Sequence, residues 1–185
     1  MDFLTLAKKR YSARTYSDRP VEPEKLDLLL TAARVAPTGK NLQPYHVIAV
    51  QSPAGMEKVA KAANTYHAPL VLIICGNYSR AWKRPWDGQS LAPIDASIIT
   101  DHMMLEATEI GLDSVWICNF KPDILREEFG IPEDFAPVNL LAVGYTDGQP
   151  KSPDRHENDR VPVSEFVSYE TFSSPVWHRP QRVLK

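Results

Sequence analysis

The sequence contains few of the residues that mark secreted, membrane or metal-binding proteins. It has only two cysteines, Cys75 and Cys118, and neither a C-x-x-C pair nor a His/Cys cluster, which excludes a disulfide framework and a zinc site of ordinary spacing. Its longest apolar run, residues 69–75, is far shorter than the ~20 residues that a membrane-spanning helix requires. No basic and then apolar leader opens the chain. We therefore expect a cytoplasmic protein without a structural metal.

A strong charge of either sign is also missing. The chain has 21 Lys and Arg against 23 Asp and Glu, a formal net charge of −2. This balance argues against general electrostatic capture of nucleic acid or of an anionic membrane, so any anion binding must be local. The sequence has no G-x-S-x-G motif either, and nothing in its spacing supports a hydrolytic triad.

What the sequence does contain is typical of one globular domain. Its 185 residues are 43% hydrophobic and 24% charged, a composition that can bury a real core. Sixteen prolines, close to twice the usual ~5%, indicate several extended or irregular segments. We expect a single domain over residues 1–185, in which 161–185 is an extended C-terminal tail. That tail carries aromatic residues without a compact pattern, and we expect it to pack on a partner subunit.

Apolar periodicity predicts helices that alternate with strands. Helical patterns cover residues 3–7, 23–36, 56–63, 94–112 and 122–130. Short apolar runs bounded by turn residues predict strands at 45–50, 68–75, 113–118 and 138–143. This alternation indicates a layered α/β or α+β domain and leaves the order of the strands open.

Two stretches without periodicity separate these elements. Residues 36–44 combine Pro, Gly and Asn, which is typical of a loop with specified turns. Residues 77–92 are polar and aromatic, and long excursions of this kind are often functional. Their Trp82 and Trp86 either anchor the excursion to the body of the protein or cover a bound substrate as a lid.

A basic cluster near the start of the chain is the first candidate binding site. Arg10, Ser12 and Arg14 place two guanidiniums and a hydroxyl within five residues. A guanidinium offers a planar fork of donors that matches phosphate oxygens. On a helix, Arg10 and Arg14 would share a face, and on a bend they could still converge on one anion. The alternative is an ordinary solvated surface.

Other residues with reactive side chains fit structural roles better. His102 and Glu106 stand four apart on a predicted helix and could share a metal ion. No third ligand follows them, which favours a surface or packing role. Cys75, inside an apolar run, fits a buried core position.

Four motifs together resemble the nitroreductase family of FMN-dependent oxidoreductases. In chain order they are Arg10-x-Ser12-x-Arg14, the loop Pro37-Thr38-x-x-Asn41-x-Gln43-Pro44-Tyr45, the helix that begins near Asp95 and closes as Gly111-Leu112-x-Ser114-Val115-Trp116-Ile117, and Gly144-Tyr145. The resemblance spans nearly the whole chain. It implies an α+β fold, a three-layer sandwich whose antiparallel-rich central sheet is flanked by helices. It also implies an intertwined homodimer with FMN at each of two interface sites.

The same resemblance assigns residues to the phosphate end of the cofactor. It implies that Arg10 binds the phosphate, that Ser12 bonds the phosphate or the ribityl chain, and that Arg14 reaches the pyrimidine edge of the flavin. Tyr11 would contribute mainly its backbone. Arg160, late in the chain, would return to the phosphate.

Contacts with the ring and the ribityl chain are implied for two further segments. The second subunit would supply five loop residues: Pro37, Thr38, Gly39, Asn41 and Gln43. Ile117, Cys118 and Asn119 would pass over the ring near its reactive nitrogen, where a backbone N–H can donate. Cys118 could be redox-active there, or matter only for its backbone. Larger members place an Asn and a Lys on the ring from before the second strand, where this chain offers only Asn64 or His67 as loose candidates.

The implied activity is hydride transfer from NAD(P)H, through the flavin, to a small acceptor such as a nitroaromatic compound or a quinone. Both substrates would stack on one face and therefore bind alternately. No side chain needs to act as acid, base or nucleophile, and Arg14 would stabilise the reduced flavin electrostatically. Two alternatives stay open, an FMN enzyme with a dedicated metabolite reaction and a flavin- or phosphate-binding module without turnover. The sequence indicates neither the acceptor nor a preference between NADH and NADPH.

Overall fold

The computed structural model describes residues 1–146 and 148–172 and divides into two compact units, Met1–Gln149 and Pro150–Lys185. The second unit contains two short helices, α6 (Arg155–Asp159) and α7 (Val163–Phe166). Residues 173–185 of the predicted tail, including its Trp177, lie outside the described residues. The single domain and the packing of the tail on a partner therefore stay predictions.

The first unit contains five helices and four strands among its described residues. The helices are α1 (Phe3–Lys9), α2 (Pro23–Val35), α3 (Pro53–Ala62), α4 (Ala92–Glu109) and α5 (Pro122–Phe129). The strands are β1 (Tyr45–Val50), β2 (Leu70–Asn77), β3 (Asp113–Ile117) and β4 (Phe135–Gly144). Every predicted helix and strand is present, with shifts at the ends. No described helix has the length and apolar content needed to cross a membrane.

A shift of three residues occurs at the start of β4, which begins at Phe135 rather than at the predicted residue 138. The sequence did not predict this start, because Pro137 cannot donate a hydrogen bond to a neighbouring strand and therefore argues against a strand at this position. The structure accommodates it at an irregularity in the pairing with β2, between Ile74 and Cys75, where Cys75 faces Pro137. A proline inside a central strand is tolerated at such a bulge.

The strands form one sheet in the order β1-β2-β4-β3, and each neighbouring pair is antiparallel. Helices α2 and α4 cover one face, where Leu29, Ile99 and Met103 pack against apolar residues of β2 and β4. Helices α3 and α5 cover the other face through Val59 and Leu125. The predicted α+β class, an antiparallel sheet between two helical layers, is confirmed.

The central strand β2 explains how both layers are held. All eight of its residues are buried. Because side chains alternate along a strand, Leu72 and Ile74 face α4 while Val71 and Ile73 face α3 and α5. This accounts for the continuous apolar run in the sequence, which is typical of a strand buried on both faces.

Candidate functional site

The basic cluster lies on an extended segment along the edge of β3. Helix α1 ends at Lys9, and Arg10 already has extended backbone angles, φ −55° and ψ 131°. Ser12 forms a parallel bridge with Ser114 of β3, and the Ala13 N–H donates to the Ser114 carbonyl at 3.0 Å. Of the two alternatives for Arg10 and Arg14, the helical one is therefore excluded, and the segment leaves the helix before the first arginine.

Alternation along this extended segment still brings the three side chains together on one side. Residues 10, 12 and 14 share a side by the two-residue period of extended chain, while Ala13, on the other side, is buried. Arg10 and Ser12 are half-buried, and Arg14 is exposed with its Nη1 3.4 Å from the Ser12 carbonyl oxygen. We call Arg10, Ser12 and Arg14 the arginine row. It presents two guanidiniums, which only donate hydrogen bonds, and a hydroxyl that can donate, a set that fits a phosphate.

Two tyrosines fix the arginine row from behind. The Tyr11 hydroxyl lies near Asp113 and Thr146, and burial, followed by the nearby Asp113 carboxyl, raises the pKa of Tyr11. Burial likewise raises the pKa of Asp113, while the neighbouring Tyr11 hydroxyl works in the opposite direction. The Tyr16 hydroxyl donates to the Ala142 carbonyl at 3.2 Å, and burial raises the pKa of this phenol strongly. The Tyr11 side chain thus serves as an anchor.

The end of β3 lies on the same edge of the sheet as the arginine row. Ile117 closes the strand and is buried, whereas Cys118 and Asn119 are exposed. Beside this edge is an open groove of about 580 Å³ between α4 and β3, lined by Pro93, Ile94, Ser97, Ile98, Asp101 and Trp116. Two of the three predicted contact segments therefore share one edge, next to a groove.

The third predicted segment, the 37–43 loop, has an unusual backbone. Lys40, Asn41 and Gln43 have positive φ angles of 51°, 56° and 50°. Such left-handed conformations cost non-glycine residues about 1–2 kcal/mol each, and they cluster at functional sites because the surrounding structure must maintain them. The strain marks this loop as a second candidate region.

Hydrogen bonds and close packing hold the 37–43 loop. The Gly39 N–H donates to Oδ1 of Asp95 at 2.9 Å, and the Gln43 N–H donates to the Thr38 hydroxyl at 3.1 Å. A Cβ atom at position 39 would lie 3.0 Å from Leu91 Cδ1 and 3.5 Å from Trp82 Cβ. A side chain at this position would therefore press on the tip of Leu91, which would have to give way by a few tenths of an ångström.

Within one chain, the arginine row and the 37–43 loop do not meet. The loop enters β1 at one edge of the sheet, and the arginine row lies beyond β3 at the other edge, four strand spacings or about 19 Å away. Pairing places Ser114 level with Val143 and Leu70, one residue past the end of β1, while the loop enters β1 at Tyr45, which pairs with Gly76, six residues or about 20 Å away along the strand. A single chain therefore holds the two halves of the predicted site far apart.

Residues 81–91 of the predicted excursion form a hairpin behind the 37–43 loop. The Leu91 N–H donates to the Trp82 carbonyl and the Arg84 N–H to the Gln89 carbonyl, both at 2.9 Å. The Lys40 ammonium lies 5.9 Å from the centre of the Trp82 ring. Trp86, at the tip, is 90% exposed. Trp82 thus has the anchoring role, whereas Trp86 contributes nothing to the core.

An exposed apolar surface extends over α1, α2 and α4. A groove of about 590 Å³ runs between these helices and includes Phe3, Leu28, Val35 and Leu105. Phe3 and Val35 are 65% and 71% exposed. Large apolar side chains gathered on one surface are typical of a protein interface.

The remaining candidates have local structural surroundings. Cys75 is buried, as predicted, and burial raises the pKa of its thiol to about 11. His102 Nδ1 lies 2.9 Å from the Ile98 carbonyl oxygen, and the described residues contain no group of three His, Cys, Asp or Glu that could hold a metal ion. Arg160, in the second unit, follows α6 with its Nε 3.4 Å from His156 Nδ1, and its part in phosphate binding stays a prediction.

Comparison with known proteins gives consistent matches. A family model described as the nitroreductase family matches residues 7–66 and 61–145. The crystal structure of a nitroreductase family protein from Clostridium difficile 630 is 56% identical, with a TM-score of 0.91 over 93% of this chain and 100% of that one. A candidate NADH dehydrogenase/NAD(P)H nitroreductase of Methanothermobacter thermautotrophicus is 30% identical over 174 residues, 90% of this chain and 88% of the relative. An FMN reductase (NAD(P)H) of Bacillus subtilis is 27% identical over 181 residues, 87% of this chain and 70% of the relative.

Proposed function

The chain belongs to the nitroreductase family, as its four motifs predicted, and we propose that it is an FMN-dependent oxidoreductase that passes hydride from NAD(P)H to a small acceptor. A nitroaromatic compound, a quinone or a similar planar molecule is the acceptor class. The observation that carries the proposal is the arginine row on the edge of β3, beside the groove under α4. One similar protein, from Bacillus subtilis, is named an FMN reductase that uses NAD(P)H, which supports the same cofactor pair.

The residues of the arginine row suit the two negatively charged parts of FMN. Arg10 and Ser12, both half-buried, would bind the phosphate and the start of the ribityl chain. Arg14, which is exposed, would reach the pyrimidine edge.

The chain's own groups would bind and stabilise rather than react. When bound, FMN accepts hydride from a reduced nicotinamide and passes two electrons to the acceptor. Arg14 would stabilise the negative charge that develops at the pyrimidine edge, because a fixed cation costs no reorganisation during the reaction. Backbone N–H groups of residues 117–119 would orient the ring at the end of β3. An open face that both substrates share implies that they bind alternately.

A complete site needs two copies of the chain. The 37–43 loop lies about 19 Å across and about 20 Å along the sheet from the arginine row of the same chain. A second copy would bring its own loop to that row, and the exposed apolar groove over α1, α2 and α4 offers a surface for the contact. We infer a homodimer with two composite FMN sites, measurable by sedimentation of the purified protein.

The test of this function is the response of the bound flavin. Purified full-length protein is mixed with FMN, freed of excess and titrated anaerobically with NADH and with NADPH. We expect yellow protein whose visible flavin absorption bleaches with at least one nicotinamide and returns when a quinone or nitroaromatic acceptor is added. Yellow protein that neither nicotinamide bleaches would favour a dedicated reaction or a binding module. Colourless protein that takes up no FMN would overturn the proposal.

A further inference from the structure

Asp95 is a buried carboxyl that sequence motifs did not assign to the site. It lies in the first turn of α4 and is 1% exposed. Its Oδ1 accepts the Gly39 N–H at 2.9 Å, whereas its Oδ2 is buried without a hydrogen-bond partner among the described residues. A buried carboxyl is costly unless its bonds repay desolvation, although the helix N-terminus favours negative charge. An apolar side chain would pack here at lower cost, so the carboxyl indicates a specific task.

Asp95 contacts the 37–43 loop, and the backbone of that loop indicates what the carboxyl does. Gly39 immediately precedes Lys40 and Asn41, the first left-handed residues of the 37–43 loop. The bonds from Asn41 N–H to the Thr38 carbonyl, and from Gln43 N–H to the Thr38 hydroxyl, close the loop on itself. The bond to Asp95 instead ties the loop to α4, and thus to the sheet that α4 covers. It fixes the point at which the strained backbone begins.

Packing around Gly39 also restricts the backbone at the place where the left-handed residues begin. Leu91 and Trp82 lie where a side chain would extend, and Oδ2 of Asp95 is 3.8 Å from that position. The Gly39 peptide is therefore confined by two side chains and directed by one hydrogen bond. Without the acceptor, packing alone would leave the peptide free to rotate, and the left-handed residues could relax.

We propose that Asp95 is a positioning residue of the flavin site: its carboxyl holds the 37–43 loop in the strained shape that contacts FMN across the dimer. This inference rests on the function proposed above. Asp95 touches neither cofactor nor substrate and acts through Gly39.

The experiment compares Asp95→Ala with Asp95→Asn in the full-length protein. Asparagine keeps an oxygen for the Gly39 N–H, and alanine does not. We expect Asp95→Ala to weaken FMN binding about tenfold or more, from the value of a hydrogen bond to a charged group, and Asp95→Asn to restore most of that loss. The dissociation constant is measured by flavin fluorescence. Hydrogen exchange of peptides that cover residues 38–43 should accelerate in Asp95→Ala without FMN.

Ile99→Val controls for a general loss of stability, because Ile99 is buried on the same helix and does not contact the loop through any described hydrogen bond. It should lower Tm while leaving FMN affinity and loop exchange unchanged. If Ile99→Val weakens FMN binding as much as Asp95→Ala at a similar Tm, or if Asp95→Ala binds FMN normally with unchanged exchange, the positioning role is wrong. Failure of the unaltered protein to bind FMN would instead refute the proposed function.

Discussion

The arginine row and the 37–43 loop are two halves of one proposed site, yet different forces hold them. The arginine row is extended chain, fixed by a main-chain bond to Ser114 and by the hydroxyls of Tyr11 and Tyr16. The 37–43 loop contains three left-handed residues and depends on Asp95, a side chain more than fifty positions further along the chain. Regular backbone is maintained by its own pairing, whereas strained backbone needs support from a distant element.

The largest expected effect is the loss of FMN affinity when both charges of the arginine row are removed. Arg10→Gln/Arg14→Gln removes both positive charges, and because hydrogen bonds to charged groups contribute about 1.5–3 kcal/mol each, FMN affinity should fall about a hundredfold or more. Fluorescence titration with FMN measures the loss. Lys61→Gln, which removes an exposed cation on α3, should leave affinity unchanged. Equal losses in both proteins would mean that general charge, rather than the row, attracts FMN.

A smaller effect is expected from crowding the loop. Gly39→Ala would place its Cβ 3.0 Å from Leu91 Cδ1, so the loop must shift or Leu91 must rotate. We expect a loss of about 1–3 kcal/mol in the free energy of unfolding, as for other overpacked positions, measured by urea denaturation. Adding Leu91→Val, which removes the Cδ1 atom, should recover most of it. No recovery in the double variant would show that the neighbouring Trp82 or Asp95, not Leu91, limits the space.

The hairpin behind the loop is expected to matter for substrate but little for folding. Trp86→Ala removes a side chain that is 90% exposed, so stability should change by no more than about 0.5 kcal/mol. If Trp86 stacks on planar acceptors, KM for a quinone should rise about threefold to tenfold with kcat retained. Steady-state kinetics with an aromatic and a non-aromatic acceptor measure this. An equal rise for both would contradict stacking.

The smallest expected effect is a change in the pH dependence of stability, caused by Asp113 beside Tyr11. Burial raises the pKa of Asp113 above its ordinary value of 3.8, so the folded protein holds this proton more tightly than the unfolded chain. Its contribution to stability is therefore full below pH 3.8 and is lost as the pH rises through the raised value. Asp113→Asn should gain stability relative to the unaltered protein as the pH increases across that range. Thermal unfolding of both proteins at several pH values measures the difference in their Tm. A difference that does not widen as the pH increases would be inconsistent with the raised pKa of Asp113.

Much of the fold could be predicted from the sequence because the signals are local. Apolar runs and helical spacing marked β2 and α4, and the order of elements indicated the layered class. The order of the strands and the early start of β4 could not be predicted, since pairing is long-range and Pro137 conceals a strand that a bulge accommodates.

The candidate site, like the fold, could be predicted from the sequence only in part. Arg10 and Arg14 stood out by charge and spacing, although the segment is extended and not helical as one alternative assumed. Asp95 was noted only as the start of a motif helix and received no role in the site, because an acidic residue in the first turn of a helix is ordinary and only the fold reveals that it is buried against Gly39. Positive φ at Lys40 and Gln43 carried no signal either, since neither residue type is typical of left-handed backbone.

The position of the two regions on opposite edges of the sheet has a genetic consequence. A chain defective in its arginines and a chain defective in its loop each form an inactive pair with themselves. If the two associate as the proposed homodimer would, one of the two cavities receives sound arginines from the loop-defective polypeptide and a sound loop from the arginine-defective one, while the other cavity inherits both lesions. Co-expression of two dead alleles would then restore partial activity, as in classical intragenic complementation.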